Sequence, residues 1–196
     1  IVELGGGTGR NLEFFGPRLA SFASVELVDL CQPLLAIAKA RSAGMANVVV
    51  TKADATTYRP AKPVDCVYFS YALTMIPDWQ RAIDNAIAIL KPGGFLGVVD
   101  FYVSRTQPEP GMARHGWLSR SFLPSWFRHD SVHMSREHLL CLRERLETLH
   151  LGEHRAALPY IPSLRSPYYL FVGRKIISMD AENARSAPAH PAGGGT

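Results

Sequence analysis

The chain has 196 residues, of which 47% are hydrophobic and 19% are charged. This size and composition predict one globular domain with a substantial core. No run of about 18 apolar residues occurs, so no membrane-spanning helix is predicted. Three widely spaced cysteines argue against a disulfide scaffold and a zinc site, and favour a reducing, cytoplasmic compartment. The net charge of +4 is mild and is compatible with an anionic membrane surface.

Strand and helix patterns alternate along the first hundred residues. This alternation predicts an α/β fold. Apolar runs predict strands at 1–4, 25–28, 47–51, 64–70 and 95–100, and helical periodicity predicts helices at about 10–19, 33–42 and 79–90.

The second half of the chain departs from this alternation. Residues 102–130 are rich in aromatic residues and arginine, and we interpret them as an inserted substrate or lid segment. A helix is predicted at about 135–146 with Ser135 as its N-cap, and a final strand at 168–173. We expect a domain over 1–177, N-terminally truncated because the sequence starts inside a strand. The Ser, Ala, Pro and Gly composition of 178–196 predicts a disordered tail or linker.

A glycine loop follows the first predicted strand. Gly5, Gly7 and Gly9 alternate, which lets the backbone turn sharply and approach a bulky polar ligand where a Cβ would collide. A dinucleotide-binding fingerprint would need a further glycine at the position of Arg10. The loop therefore predicts a nucleotide-type ligand other than a dinucleotide.

Acidic residues lie before this loop and at the ends of the next two strands. Glu3, Asp29 and Asp54 occupy these positions, and the pattern resembles that of class I methyltransferases, which bind S-adenosylmethionine (AdoMet). In that arrangement the loop amides meet the methionine carboxylate, Asp29 accepts ribose hydroxyls and Asp54 accepts from the adenine amine. The cofactor-binding residues that the resemblance implies are Glu3, Gly5, Gly6, Gly7, Gly9, Asp29, Leu30, Ala53, Asp54, Ala55, Ser70 and Tyr71.

Two further sequence motifs indicate a more specific family within the methyltransferases. Ser-Tyr-x-Leu-Thr-Met-Ile-Pro-x-Trp at 70–79 and Val-Asp-Phe-Tyr-Val-Ser at 99–104 resemble the methyltransferase domain of betaine lipid synthases, and the likeness runs from residue 1 to about 175. The resemblance implies a Rossmann-like, doubly wound, seven-stranded, mostly parallel sheet. It also implies trimethylation of the diacylglyceryl-homoserine nitrogen to give the betaine lipid DGTS. A fused or associated aminocarboxypropyl transferase is an implied partner. That family has a segment before the first strand that helps to close the AdoMet pocket, and this sequence lacks it.

Methylation of an amine requires a free lone pair, so a proton acceptor is expected near the acceptor nitrogen. Tyr71, Asp100, Tyr102 and His115 are the candidate catalytic residues. Aromatic faces stabilise the developing quaternary ammonium, and Tyr71, Tyr102 and Trp79 are candidate walls. Ordinary core packing is the alternative for each of these rings, and it is the stronger one for Trp79, which starts an amphipathic helix.

The inserted segment has two compatible interpretations. Its aromatic residues, Trp117, Phe122 and Trp126 among them, can enter a bilayer interface while Arg120 and Arg128 meet anionic headgroups. Alternatively, the segment is a lid over the pocket. The histidines at 129, 133 and 138 have no partner at a ligand spacing, so no metal site is expected.

Other functions remain open at this stage. The nearest enzymatic alternative is a small-molecule methyltransferase of the quinone type, and a different class is a catalytically silent AdoMet-binding module of a fused protein. An RNA methyltransferase lacks support, because neither a basic appended domain nor an Asn-Pro-Pro-Tyr type motif is present, and no nucleic acid partner is expected. We expect a peripheral protein at the cytoplasmic face of a membrane, or a cytoplasmic one.

Overall fold

The computed structural model describes residues 1–108, 110–127, 132–158 and 161–176. Seven strands form one sheet. They are β1 (Val2–Leu4), β2 (Val25–Asp29), β3 (Val48–Lys52), β4 (Val64–Ser70), β5 (Leu90–Phe101), β6 (Glu147–Leu158) and β7 (Ile161–Arg174). The spatial order is β3-β2-β1-β4-β5-β7-β6. β7 runs antiparallel to β5 and β6, and the other strand pairs are parallel, so the predicted seven-stranded, mostly parallel sheet is confirmed.

Five α-helices accompany the sheet in the described part of the chain. They are α1 (Leu12–Phe15), α2 (Gln32–Arg41), α3 (Trp79–Ile89), α4 (Trp117–Phe127) and α5 (His138–Arg145). Short 3-10 segments lie at Gly16–Ser21 and Leu73–Met75. None of the helices in the described ranges is long and apolar enough to cross a membrane.

Apolar side chains are buried on both faces of the sheet. On one face α3 buries Ile83 and Ala86, and α5 buries Leu142 in the same cluster. On the other face α2 buries Leu35 and Ala38 in a separate cluster with residues of β2. Because helices cover both faces, the sheet is doubly wound, and its strand ends meet at one edge where a ligand site is expected.

Two predicted helices differ from those observed. The helix expected at 10–19 is interrupted after Phe15, because Gly16 has φ +52° and is followed by Pro17 within a 3-10 segment. The helix expected from 135 begins at His138, and the predicted N-cap was wrong. Ser135 instead accepts a hydrogen bond from the Glu137 amide, which forms a turn before α5.

The sequence did not predict β6, and it predicted β5 and β7 too short. β6 is the outer strand of the sheet and pairs only with β7 among the described strands. The register joins Glu153 to Tyr169 and His154 to Tyr168. An edge strand of this kind carries charged residues and histidines in place of an apolar run, so its sequence resembles a loop.

The inserted segment contains α4, whose Leu123 is buried with Val103 and Met134. Arg128, His129 and Asp130 of the predicted insertion lie outside the described residues, as does the predicted tail at 178–196. The domain limits at 177 and 178 therefore stay predictions.

Candidate active site

The glycine loop turns away from the end of β1 in a conformation that favours glycine. Gly5, Gly7 and Gly9 have φ of +76°, +52° and +69°. A Cβ on Gly5 would lie 2.5 Å from the Ala72 Cβ, so a side chain is excluded there by packing as well. The Gly5 amide donates to the Val28 carbonyl at 2.8 Å, which fixes the loop at the strand ends.

Asp29 ends β2 and holds the loop. Its Oδ2 accepts from the Gly7 amide and its Oδ1 accepts from the Cys31 amide, each at 2.8 Å. A carboxylate oxygen accepts more than one hydrogen bond, so both oxygens keep capacity for a ligand's hydroxyl groups. Leu30, the next residue, is exposed beside this carboxylate. The structure thus brings together the glycine loop, Asp29 and Leu30.

Glu3 lies beneath the loop. Its side chain is fully buried and accepts from Asn11 Nδ2 at 2.6 Å and from the Tyr68 hydroxyl at 3.0 Å. Burial raises the pKa of Glu3, and the two hydrogen bonds oppose that rise. These contacts give Glu3 a supporting position under the loop, and its predicted contact with a cofactor stays a prediction.

Three hydrogen bonds hold the loop after β3, two to neighbouring segments and one within the loop. The Ala53 amide donates to the Asp29 carbonyl at 3.1 Å, so it borders the Asp29 site. Asp54 Oδ1 accepts from the Thr56 amide at 2.8 Å. Asn85 of α3 donates to the carbonyl of Ala55, which is buried, at 2.8 Å. Sequence reasoning missed Asn85, because its partners lie about thirty residues away.

Tyr71, directly after Ser70 at the end of β4, has φ +52° and is the one non-glycine residue with positive φ in the described ranges. Such a conformation is unfavourable for an aromatic residue and is typical of functional sites. The ring is 41% exposed. Its centroid lies 4.8 Å from that of Phe101 and 6.5 Å from that of Tyr168. These three rings form an aromatic surface beside the predicted cofactor site.

Asp100 lies behind this surface and is fully buried. Its oxygens accept from Thr74 Oγ1 at 2.8 Å, the Thr74 amide at 3.1 Å and the Phe101 amide at 2.7 Å. Burial raises the pKa of Asp100 to about 6, although these hydrogen bonds favour the ionised form. Asp100 therefore anchors the turn that follows Tyr71. Sequence reasoning missed Thr74 as its partner.

Tyr102 and His115 belong to a buried network on the Asp100 face of the sheet. The Tyr102 hydroxyl donates to Glu153, whose Oε2 accepts from the Ala113 amide at 2.8 Å. His115 Nδ1 accepts from the Ser104 amide at 3.0 Å, and burial lowers the pKa of His115. This network fastens the inserted segment to β6. Sequence reasoning missed Glu153 because β6 itself was not predicted.

Trp79 packs against His138. Its ring lies 4.5 Å from that of His138, edge to face, between α3 and α5. The packing alternative for Trp79 is therefore the one that its contacts favour. Phe101 and Tyr168 line the aromatic surface instead. Successive side chains of a strand point to opposite faces of the sheet, so Phe101 lies on the face opposite to that of Asp100. Tyr168 is the register partner of Phe101 on β7.

Comparison with known proteins supports the interpretation of the glycine loop. Residues 1–94 match the family described as "Methyltransferase domain". The ubiquinone/menaquinone biosynthesis C-methyltransferase UbiE of Hydrogenovibrio crunogenus is 30% identical over 129 residues, which cover 63% of this chain and 50% of that protein. UbiE of Vibrio cholerae is 32% identical over 128 residues, covering 63% and 48%. The chain spans about half the length of these curated relatives.

Solved structures share the fold. The YcgJ protein of Bacillus subtilis superposes with a TM-score of 0.69 at 16% identity, over 90% of this chain and 92% of that one. The N-methyltransferase NodS of Bradyrhizobium japonicum, in complex with S-adenosyl-L-homocysteine, superposes with a TM-score of 0.65 at 16% identity, over 89% and 76%. Residues 1–94 thus match a methyltransferase domain family, and the described chain has the class I methyltransferase fold.

Proposed function

We propose that this chain is the catalytic domain of an AdoMet-dependent N-methyltransferase that acts on the amino group of diacylglyceryl-homoserine and forms the betaine lipid DGTS. The observation that carries the proposal is the aromatic surface of Tyr71, Phe101 and Tyr168 next to the end of β4. Aromatic faces stabilise a cation by roughly 0.5 to 2 kcal/mol each. A quaternary ammonium has no N–H to donate, so such faces suit it better than hydrogen-bond acceptors do.

The residues at the strand ends fit AdoMet, which supplies an electrophilic methyl group when bound. The left-handed glycines keep side chains away from the ligand. Asp29 stays oriented by the Gly7 and Cys31 amides and receives the ribose hydroxyls. Asp54, on the neighbouring loop, receives the adenine amine. The chain's contribution is to hold donor and acceptor in line and to exclude water.

Tyr71 orients the acceptor amine. Burial raises the pKa of its hydroxyl, so this group stays protonated near neutral pH and does not act as a phenolate base. Its oxygen accepts a hydrogen bond from the amine, which aims the lone pair, and the proton leaves to water. Asp100 acts indirectly by fixing the turn at Thr74, and Tyr102 and His115 support the inserted segment.

We further propose that α4 docks the protein on a lipid bilayer. Trp117, Phe122 and Trp126 are 73%, 39% and 47% exposed, whereas Leu123 of the same helix is buried. Exposed aromatic residues of this kind enter the headgroup boundary, and Arg120 on the same helix meets anionic lipids. A lipid substrate is thereby presented close to Phe127 of α4, whose ring stacks 5.5 Å from Phe101.

A quinone-type C-methyltransferase is the second candidate, because the curated relatives are named for ubiquinone and menaquinone biosynthesis. We would incubate the protein with AdoMet labelled in its methyl group and either diacylglyceryl-homoserine in vesicles or a quinone precursor. Label on the homoserine nitrogen supports the proposal. Label on a quinone ring carbon overturns it in favour of the second candidate. AdoMet binding without transfer to either substrate identifies a cofactor-binding module.

A further inference from the structure

A cavity of about 320 Å³, widely open to solvent, lies between the loop after β3 and helix α3. Its size is at the lower end of the range of small-ligand sites, about 300 to 1,000 Å³. None of its lining residues belongs to the predicted cofactor-binding set. The lining residues are Thr56, Thr57, Arg59, Arg81, Asp84, Asn85 and Ala88.

The charges around this cavity favour an anion. Asp84 is the one lining acid, and it is engaged by Arg145 with Nε to Oδ1 at 3.3 Å. Arg59 donates through one Nη1 to the Tyr58 carbonyl at 2.9 Å, which leaves most of its donors for a ligand. Arg81 contributes a second guanidinium. Two guanidinium groups with adjacent hydroxyls match the donor pattern that binds phosphate.

Asn85 lines the cavity with an oxygen that can accept a hydrogen bond from a ligand. Its side chain is 4% exposed, and its Nδ2 donates to the carbonyls of Ala55 and Tyr58 at 2.8 and 3.0 Å. This pair of acceptors fixes the amide orientation, because a flip would place Oδ1 against two carbonyl oxygens. Oδ1 is buried and has no partner among the described residues. A ligand hydroxyl that donates to Oδ1 would satisfy it.

We propose that this cavity binds a phosphate ester that carries a neighbouring hydroxyl, the chemistry of a polyol phosphate or of a phosphoglycerol headgroup. Arg59 and Arg81 hold the phosphate, the hydroxyls of Thr56 and Thr57 complete its shell, and Asn85 accepts from the ligand hydroxyl. The loop that forms one wall also carries Asp54, so occupancy restrains a part of the predicted adenine site. The proposal holds whether or not the chain methylates a lipid.

Glycerol 3-phosphate is the probe, titrated into the full chain by calorimetry. We expect Arg59→Gln and Arg81→Gln each to weaken binding about tenfold, as loss of a charge-assisted hydrogen bond predicts. Both residues are exposed, so unchanged thermal unfolding should show that the variants fold. Arg18→Gln, at another exposed arginine, which lies outside the cavity, is the matched control and should bind normally. If all three variants bound glycerol 3-phosphate equally weakly, the loss would come from the change in net charge, and the proposed site would be wrong.

Two further arms identify the source of the ligand. Inorganic phosphate should bind more weakly than glycerol 3-phosphate, because it lacks the carbon-borne hydroxyl for Asn85. Vesicles of phosphatidylglycerol in phosphatidylcholine test the headgroup source, and loss of their binding in Arg59→Gln and Arg81→Gln separates the cavity from α4. Binding of the free ester assigns a soluble ligand, and binding of vesicles alone assigns a lipid. Failure of both probes to bind at millimolar concentration overturns the proposal.

Discussion

Asp29 shows at the residue scale how one side chain serves both the fold and the site. Its two carboxylate oxygens hold the Gly7 and Cys31 amides, which belong to different loops. The carboxylate is therefore oriented by backbone groups before any ligand arrives. Substitution at this position removes a ligand contact and a loop restraint together.

We predict that Asp29→Ala weakens AdoMet binding by about 1.5 to 3 kcal/mol, the range for a lost charge-assisted hydrogen bond. Calorimetry with AdoMet measures the change. Asp65→Ala is the matched control, because Asp65 is an exposed acid that pairs with Lys91 away from the loop. Unchanged affinity in Asp29→Ala would remove Asp29 from the site.

Substitutions of Tyr71 can distinguish the contributions of its ring, its hydroxyl group and its backbone conformation. Tyr71→Phe keeps the ring but deletes the acceptor oxygen, and we expect kcat to fall about tenfold. Tyr71→Gly also removes the aromatic wall, so kcat should fall further. Glycine adopts φ +52° without strain, so thermal stability of Tyr71→Gly should be higher than that of Tyr71→Ala. Wild-type rates in both Phe and Gly variants would contradict a role for Tyr71 in turnover.

The packing of α5 on α3 makes the fold sensitive to acid. His138 is fully buried against Trp79, and neither of its ring nitrogens has a hydrogen-bond partner among the described residues. Burial lowers the pKa of His138 to about 4, below its ordinary value of 6.5. Its contribution to stability is complete above pH 6.5 and is lost as the pH falls toward 4. Asp100 acts in the opposite direction, because its raised pKa stabilises the fold as the pH falls through 6.

We predict that His138→Phe removes the acid-sensitive component. The difference in free energy of unfolding between wild type and His138→Phe should change by about 3 kcal/mol between pH 7 and pH 4, in favour of the variant at low pH. Denaturant unfolding at several pH values measures it. His133→Gln is the control, because His133 is exposed, and its pH profile should follow that of wild type. Parallel profiles for wild type and His138→Phe would contradict the prediction.

Helix α4 carries the prediction for membrane docking. Trp126→Ser should weaken binding to vesicles that contain anionic lipid, and Arg120→Gln should weaken it about fivefold at low salt and less at high salt. Tryptophan fluorescence on vesicle addition measures both effects. Phe14→Ser, at an exposed aromatic residue of α1, is the matched control. Activity on a soluble, chain-shortened substrate should stay unchanged, whereas an equal loss on both substrates would indicate a lid.

Across the whole molecule, the features that could be predicted from the sequence are those formed by residues close together in the chain. The strands β1 to β4 and the second half of β5 are largely apolar runs, and the glycine loop with Asp29 lies within thirty residues, so both were recognisable. The network of Tyr102 with Glu153 and the hydrogen bonds of Asp100 to Thr74 depend on register between distant segments. Neither composition nor periodicity carries that register, so the supporting residues emerged only from the structure.

The position of β7 between β5 and β6 has a consequence for synthesis of the chain. β6 is made before β7 but, among the described strands, pairs only with it, and the outer side of β5 stays unpaired until residues 161–174 have left the ribosome. An unpaired edge of a hydrophobic strand invites association with other chains. Nascent chains that pause before residue 174 should therefore depend on chaperones, whereas chains that have passed this residue cover the outer side of β5 with β7.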